Sequence, residues 1–95
     1  MILGKVVGSV VSRTRSLDIE GAPFLLIEKT NQKGEKMGEF IVAVDIIGAG
    51  YDEMVMISES TSARETLLTT NKPLDALIVG IIDRISEDDK FVYIK

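Results

Sequence analysis

Apolar residues in this chain fall in short β-rich runs, each ended by a cluster of glycine, charged or amide side chains. Such punctuation predicts strands joined by tight connections. The first run, Ile2 to Ser12, is rich in valine and carries Gly4 and Gly8, which weaken a flat strand but permit the coiling or bulge that a small barrel needs. Arg15 to Pro23 has charges, Gly21 and Pro23 and no sustained period, so it is a loop. Phe24 to Lys29 is a second strand, and Asn31, Gln32, Lys33 and Gly34 supply turn chemistry before a third, Glu39 to Ile47. These two are expected to form an antiparallel hairpin.

Gly48-Ala49-Gly50 breaks the third run, and Met54 to Ser58 is a fourth strand. Ser62 and Glu65 have the spacing of a capping box, which predicts one or two helical turns stopping by Thr69 to Pro73. Asp75 to Ile85 reads as one long strand, paired with Phe91 to Lys95 across a turn at Glu87, Asp88 and Asp89. The expectation is a single, mostly β domain spanning residues 1–95, a barrel or a sandwich in size. Two runs, Phe40-Ile41-Val42-Ala43-Val44 and Ala76-Leu77-Ile78-Val79-Gly80-Ile81-Ile82, lack alternation, so both faces of those strands are expected to be covered. A lone barrel buries only its inner face. The outer one should therefore lie under a loop, a helix or, most economically, a neighbouring protomer.

Composition sharpens this picture. Of the 95 residues, 45% are hydrophobic, a high share for a domain that must keep enough polar surface to remain a monomer. Neither cysteine nor histidine occurs, which removes thiolate chemistry, the commonest general base and the usual transition-metal ligands. Enzyme function is disfavoured, and no cofactor or metal is expected. The formal charge of −4, with Lys and Arg scattered, argues against a nucleic-acid partner. No secretory leader or membrane span is expected, so the protein is read as soluble and cytosolic, with no membrane partner.

Candidate chemistry is sparse. Gly48 and Gly50 form a lone Gly-x-Gly without the rest of a phosphate-binding motif, and are read as a structural turn. Glu87-Asp88-Asp89 lacks the ligand pattern of a calcium loop and is read as a solvated hairpin turn. Asp45 follows a long apolar run and is placed to hydrogen-bond the turn around Gly48. Arg64 lies just inside a predicted helix, where the dipole disfavours a cation, so it is either a subunit-interface residue or an ordinary solvated arginine.

The segment Asp45-Ile46-Ile47-Gly48-Ala49-Gly50-Tyr51-Asp52-Glu53-Met54-Val55 resembles the EutN/CcmL family, the pentameric vertex proteins of bacterial microcompartments. Lys5-Val6-Val7-Gly8-Ser9-Val10-Val11-Ser12 with Leu17, Gly21 and Leu25-Leu26-Ile27 is similar to the family's first strands. Ser62-Ala63-Arg64 resembles its short signature, and Pro73-Leu74-Asp75-Ala76 through Val79-Gly80-Ile81-Ile82-Asp83 its last long strand. The likeness runs over essentially the whole chain. It implies a five-stranded OB-like β-barrel with one short helix and a C-terminal hairpin, a homopentamer in the shell of a microcompartment in the bacterial cytoplasm, and hexameric shell proteins as further partners. It also places Ser60, Thr61 and Ser62 near the five-fold axis as an axial pore, and Arg64 and Asp45 towards a subunit interface. Where the family usually has glycine this chain has Ser60, so the loop is barred from a glycine-only conformation.

Two other functions remain from the residues alone. OB-like barrels bind single-stranded nucleic acid through stacked aromatics, and Phe24, Phe40, Tyr51, Phe91 and Tyr93 are candidates for such a platform, although the acidic residues Glu39, Asp52 and Glu53 stand near Phe40 and Tyr51. A small-ligand binding module is the other, and would show a concave pocket with convergent polar groups.

Overall fold

The computed structural model describes residues 1–11, 23–59 and 76–95. Within them the chain forms seven strands: β1 (Ile2–Val10), β2 (Phe24–Thr30), β3 (Lys36–Asp45), β4 (Met54–Glu59), β5 (Ala76–Ile81), β6 (Arg84–Glu87) and β7 (Lys90–Ile94). The first five close into a barrel in the order β1-β2-β3-β5-β4, while β6 and β7 make a separate two-stranded sheet. All neighbours in the barrel are antiparallel except β3 and β5, which run parallel through Val44–Leu77 and Asp45–Ile78. This is the five-stranded OB-like barrel with its C-terminal hairpin. The expected helix after Ser60 lies outside the described residues.

Alternation decides what fills the barrel. Leu25 and Ala43, then Ile27 and Ile41, oppose each other on β2 and β3 and point inward, while Val6, Val55, Ile57, Ala76 and Ile78 complete the core. Burying each of the larger side chains contributes about 1.5–3 kcal/mol. Gly4 is buried on β1, and a Cβ there would run into the Cγ2 of Ile27 and lie 3.0 Å from the Glu28 carbonyl oxygen. Its missing side chain is what lets β1 and β2 close a barrel this narrow. The pairing of β1 with β2 shifts register between Val6 and Gly8, and that of β4 with β5 between Met56 and Ile57. Such bulges add the local twist that closure of five strands requires.

One expected strand is broken in two. The Asp75 to Ile85 run leaves the barrel after Ile81: the Ile82 N–H donates to the Met54 carbonyl at 2.8 Å, and β6 begins at Arg84 in the second sheet. Phe91 to Lys95 therefore pairs with β6 and not with a continuous barrel strand. Asp88 and Asp89, at φ 53° and 63°, form the two-residue turn between them. Consecutive left-handed residues match the strand twist, and aspartate tolerates that region better than most side chains. The β3 strand begins at Lys36, three residues earlier than expected, and ends at Asp45, two residues sooner.

Candidate interaction faces

At the barrel rim, β3 ends in a turn built around one carboxylate. Asp45 is 5% exposed, and its Oδ1 accepts the N–H groups of Ile47 and Gly48 at 3.0 Å each while Oδ2 accepts that of Ala49 at 2.9 Å. Gly48 has φ 82°, a left-handed conformation in which a Cβ costs about 1–2 kcal/mol. The same turn is closed further on by Glu53, whose Oε1 accepts the Gly50 N–H and whose Oε2 lies 2.7 Å from Lys95 Nζ. Those two donors hold the Glu53 carboxyl below the usual range, Lys95 having the larger effect, and the hydrogen bond to Glu53 raises Lys95. Glu53 thus ties the turn before β4 to the far end of the C-terminal hairpin.

Ser60, Thr61, Ser62 and Arg64 lie outside the described residues. Asp45, Gly48 and Gly50 come together in one turn, in which the Asp45 carboxylate is filled by its own chain and Ile47 is exposed. Among the described residues no group of three or more Asp or Glu side chains is arranged to hold a metal ion.

The outside of the barrel carries two apolar faces. On β2 and β3 the outward pairs are Phe24–Val44, Leu26–Val42 and Glu28–Phe40. Phe40 is 56% exposed and Val42 43%, so this part of the face is open to solvent in the single chain, whereas Val44 is buried. Further round the barrel, Leu3 and Met56 pair on the outside of β1 and β4 and line an open groove with Ile81, Ile82 and Ile85, Asp83 and Arg84 standing at the same wall. In the strand order the first face lies on β2 and β3 and the second on β4 and β1, which adjoin between β1 and β2 and are separated by β5 on the other side. Sequence reasoning found the first face through the unbroken run from Phe40 to Val44. It missed the second, since Leu3, Met56 and Ile85 meet only once the barrel closes and the hairpin folds beside it.

The aromatics do not share a platform. Phe40 is on β3 and Tyr51 in the turn before β4, while on the hairpin Arg84 lies 5.4 Å from the centre of the Phe91 ring and Lys5 Nζ 5.8 Å from that of Tyr93. Nor does the groove offer the convergent polar groups of a small-ligand site: five of its seven lining residues are aliphatic or methionine.

Comparison with known proteins gives these faces a context. Residues 1–83 match the family model described as ethanolamine utilisation protein EutN/carboxysome. The carboxysome shell vertex protein CcmL of Gloeobacter violaceus is 37% identical over 95 residues, which take in all of this chain and 95% of the relative. The solved structure of CcmL from Nostoc sp. PCC 7120 superposes with a TM-score of 0.91 at 38% identity, covering 100% of both chains. The pentameric microcompartment shell protein GrpN of Rhodospirillum rubrum does so with a TM-score of 0.78 at 36% identity, over 92% of this chain and 99% of its own.

Proposed function

Since this chain belongs to the EutN/CcmL family, we infer that it is a structural shell protein, not an enzyme, which forms homopentamers and closes the vertices of a bacterial microcompartment in the cytoplasm. The observation that carries this is likeness over the full chain to shell vertex proteins, one of them solved as a pentamer. Physical reasoning supports it independently. Five-fold cyclic symmetry needs a heterologous contact, one patch docking on a different patch of the next copy, and the barrel presents two distinct apolar faces, on β2–β3 and on β4–β1. A shell of flat hexagonal tiles closes only where five-fold units sit at its corners, so hexameric shell proteins are the partners proposed at the outer edge. Single-stranded nucleic-acid binding gains no support from any relative, and the aromatics are dispersed.

The native mass of the purified protein in dilute physiological buffer is the test, and five copies per particle is the expected result. A monomer or dimer persisting at high concentration would refute the assignment. On the family pattern, Ser60, Thr61 and Ser62 are proposed to surround the axial opening and Arg64 to reach the adjoining copy. Replacing Ser62 by tryptophan is then expected to lower metabolite flux through assembled shells; unchanged flux would remove Ser62 from the opening.

A further inference from the structure

We propose that the C-terminal hairpin is a hinged strap, which swings open as one unit about residues 82–84 while the barrel stays closed, and that Tyr93 seated against Gly34 is the catch that holds it shut. The device belongs to the single chain and does not depend on how many copies assemble.

The hinge follows from connectivity. The Ile82 N–H donates to the Met54 carbonyl, and beyond that bond, among the described residues, no backbone hydrogen bond joins the hairpin to the barrel. From Asp83 to Lys95 the chain satisfies itself: Arg84 pairs with Ile94, Ile85 with Tyr93 and Glu87 with Lys90, and the Lys95 N–H donates to the Asp83 carbonyl at 2.8 Å. A unit bonded within itself and tied to its neighbour by side chains alone opens as a unit, at a free energy below that of global unfolding.

The strap has a seat. Met54 alternates on β4 with the core residues Val55 and Ile57 and so faces out of the barrel, paired with Lys5 on β1, yet it is fully buried. Thr30 Oγ1 lies 3.5 Å from its sulfur and is buried with it. Lys5 Nζ in turn stands 5.8 Å from the centre of the Tyr93 ring, which places β7 over this outer face. Opening the strap uncovers Met54 and removes one wall of the groove, since Arg84 and Ile85 leave Leu3 and Met56 behind.

The catch is a glycine notch. The turn after β2 holds its shape by itself: Asn31 Oδ1 accepts the Lys33 and Glu35 N–H groups at 2.9 and 3.0 Å, and Asn31 Nδ2 donates to Glu35 Oε1 at 2.8 Å. Within that turn Gly34 has φ 81°, and a Cβ there would lie 2.8 Å from Tyr93 Cδ1 and 3.0 Å from Cε1. The ring edge fills the space of the absent side chain, in a socket whose own hydrogen bonds do not involve the strap. The other ties, Gln32 to Glu87 and Lys95 to Glu53, are exposed polar pairs, whose contribution in water is modest. Packing of the ring is the larger hold.

Native-state amide exchange tests this, with wild type and variants at one protein concentration because association also protects amides. In the wild type the amides of β6 and β7 should exchange together and faster than those of the barrel strands. Gly34→Ala should speed hairpin exchange about tenfold more than it speeds the barrel. Gly38→Ala is the control. Gly38 has φ 78° and so carries the same left-handed strain, but nothing lies within 4 Å of where its Cβ would stand, and hairpin exchange should rise no more than the barrel's. Tyr93→Ala should match Gly34→Ala, and the double variant should exceed neither, as expected of one shared contact. Hairpin and barrel amides exchanging at a single rate in the wild type would overturn the strap. Equal hairpin exchange in Gly34→Ala and Gly38→Ala, or additive effects of Gly34→Ala and Tyr93→Ala, would overturn the catch. Circular dichroism verifies that each variant is folded; should Gly34→Ala fail, Tyr93→Ala carries the test, and hairpin exchange at the wild-type rate in it overturns the proposal.

Discussion

Three backbone N–H groups at the end of β3 converge on the carboxylate of Asp45, and the turn that follows depends on that one buried side chain. Hydrogen bonds to a charged acceptor contribute about 1.5–3 kcal/mol each, and a buried donor left without a partner costs about 1–3 kcal/mol. Asp45→Ala should therefore lower stability by about 3 kcal/mol, and Asp45→Asn by less, because one amide oxygen still accepts. Urea unfolding at one fixed protein concentration measures both, the concentration being held because association shifts the midpoint. Equal stability of wild type and alanine variant would show that the turn holds without the carboxylate. This much was legible in the residues, since an aspartate after an apolar run and just before Gly48 has few other uses. The bond from Lys95 to Glu53 was not: 42 positions separate them, and no local pattern announces a pair that only the returning hairpin brings together.

At the scale of elements, the β6–β7 hairpin is the part that needs explanation. A two-stranded hairpin alone is marginal in water, and this one has no backbone ladder to the barrel sheet. It is held instead by Gln32 donating to Glu87 at 2.7 Å, by Lys95 on Glu53, and by Tyr93 lying over the space that Gly34 leaves free. Because Glu53 titrates below its ordinary 4.5 when folded, its contribution is present above that pH and lost as pH falls through the lower folded value. Lys95 titrates above 10.5, so its contribution is full below that pH and lost only as pH rises through the folded value. Attachment of the hairpin should be constant between these limits and loosen on acidification. Glu53→Gln should reproduce the loosening at neutral pH, seen as faster amide exchange in β6 and β7 with the barrel strands unaffected; unchanged exchange in the hairpin would show that the other contacts suffice. The break that creates the hairpin was hidden in the sequence, since Ile81-Ile82-Asp83-Arg84-Ile85 contains neither glycine nor proline and reads as uninterrupted strand. The pairing with β4 runs one residue past Ile81, through the bond from the Ile82 N–H to the Met54 carbonyl, before the chain turns away at Asp83 into β6.

For the whole molecule, the decisive conflict is between apolar flanks and like charge. Phe40 and Val42 on one face and the Leu3–Met56 groove on another favour association, while each copy carries a formal −4 and ring closure brings five such charges together. Burial of apolar surface is insensitive to moderate salt, whereas repulsion between exposed charges is screened as the Debye length shrinks from about 30 Å at 0.01 M to about 10 Å at 0.1 M. If apolar faces hold the ring, raising the salt over that range should move the concentration at which pentamers dissociate to lower values. Light scattering on serial dilutions at the two ionic strengths measures this directly. The opposite shift, with salt driving subunits apart, would mean that ion pairs such as one made by Arg64 hold the ring and that the apolar faces serve another contact. The unbroken run from Phe40 to Val44 and the high apolar share already demanded a partner on sequence grounds, but the direction of the salt effect depends on which residues closure of the barrel leaves outside.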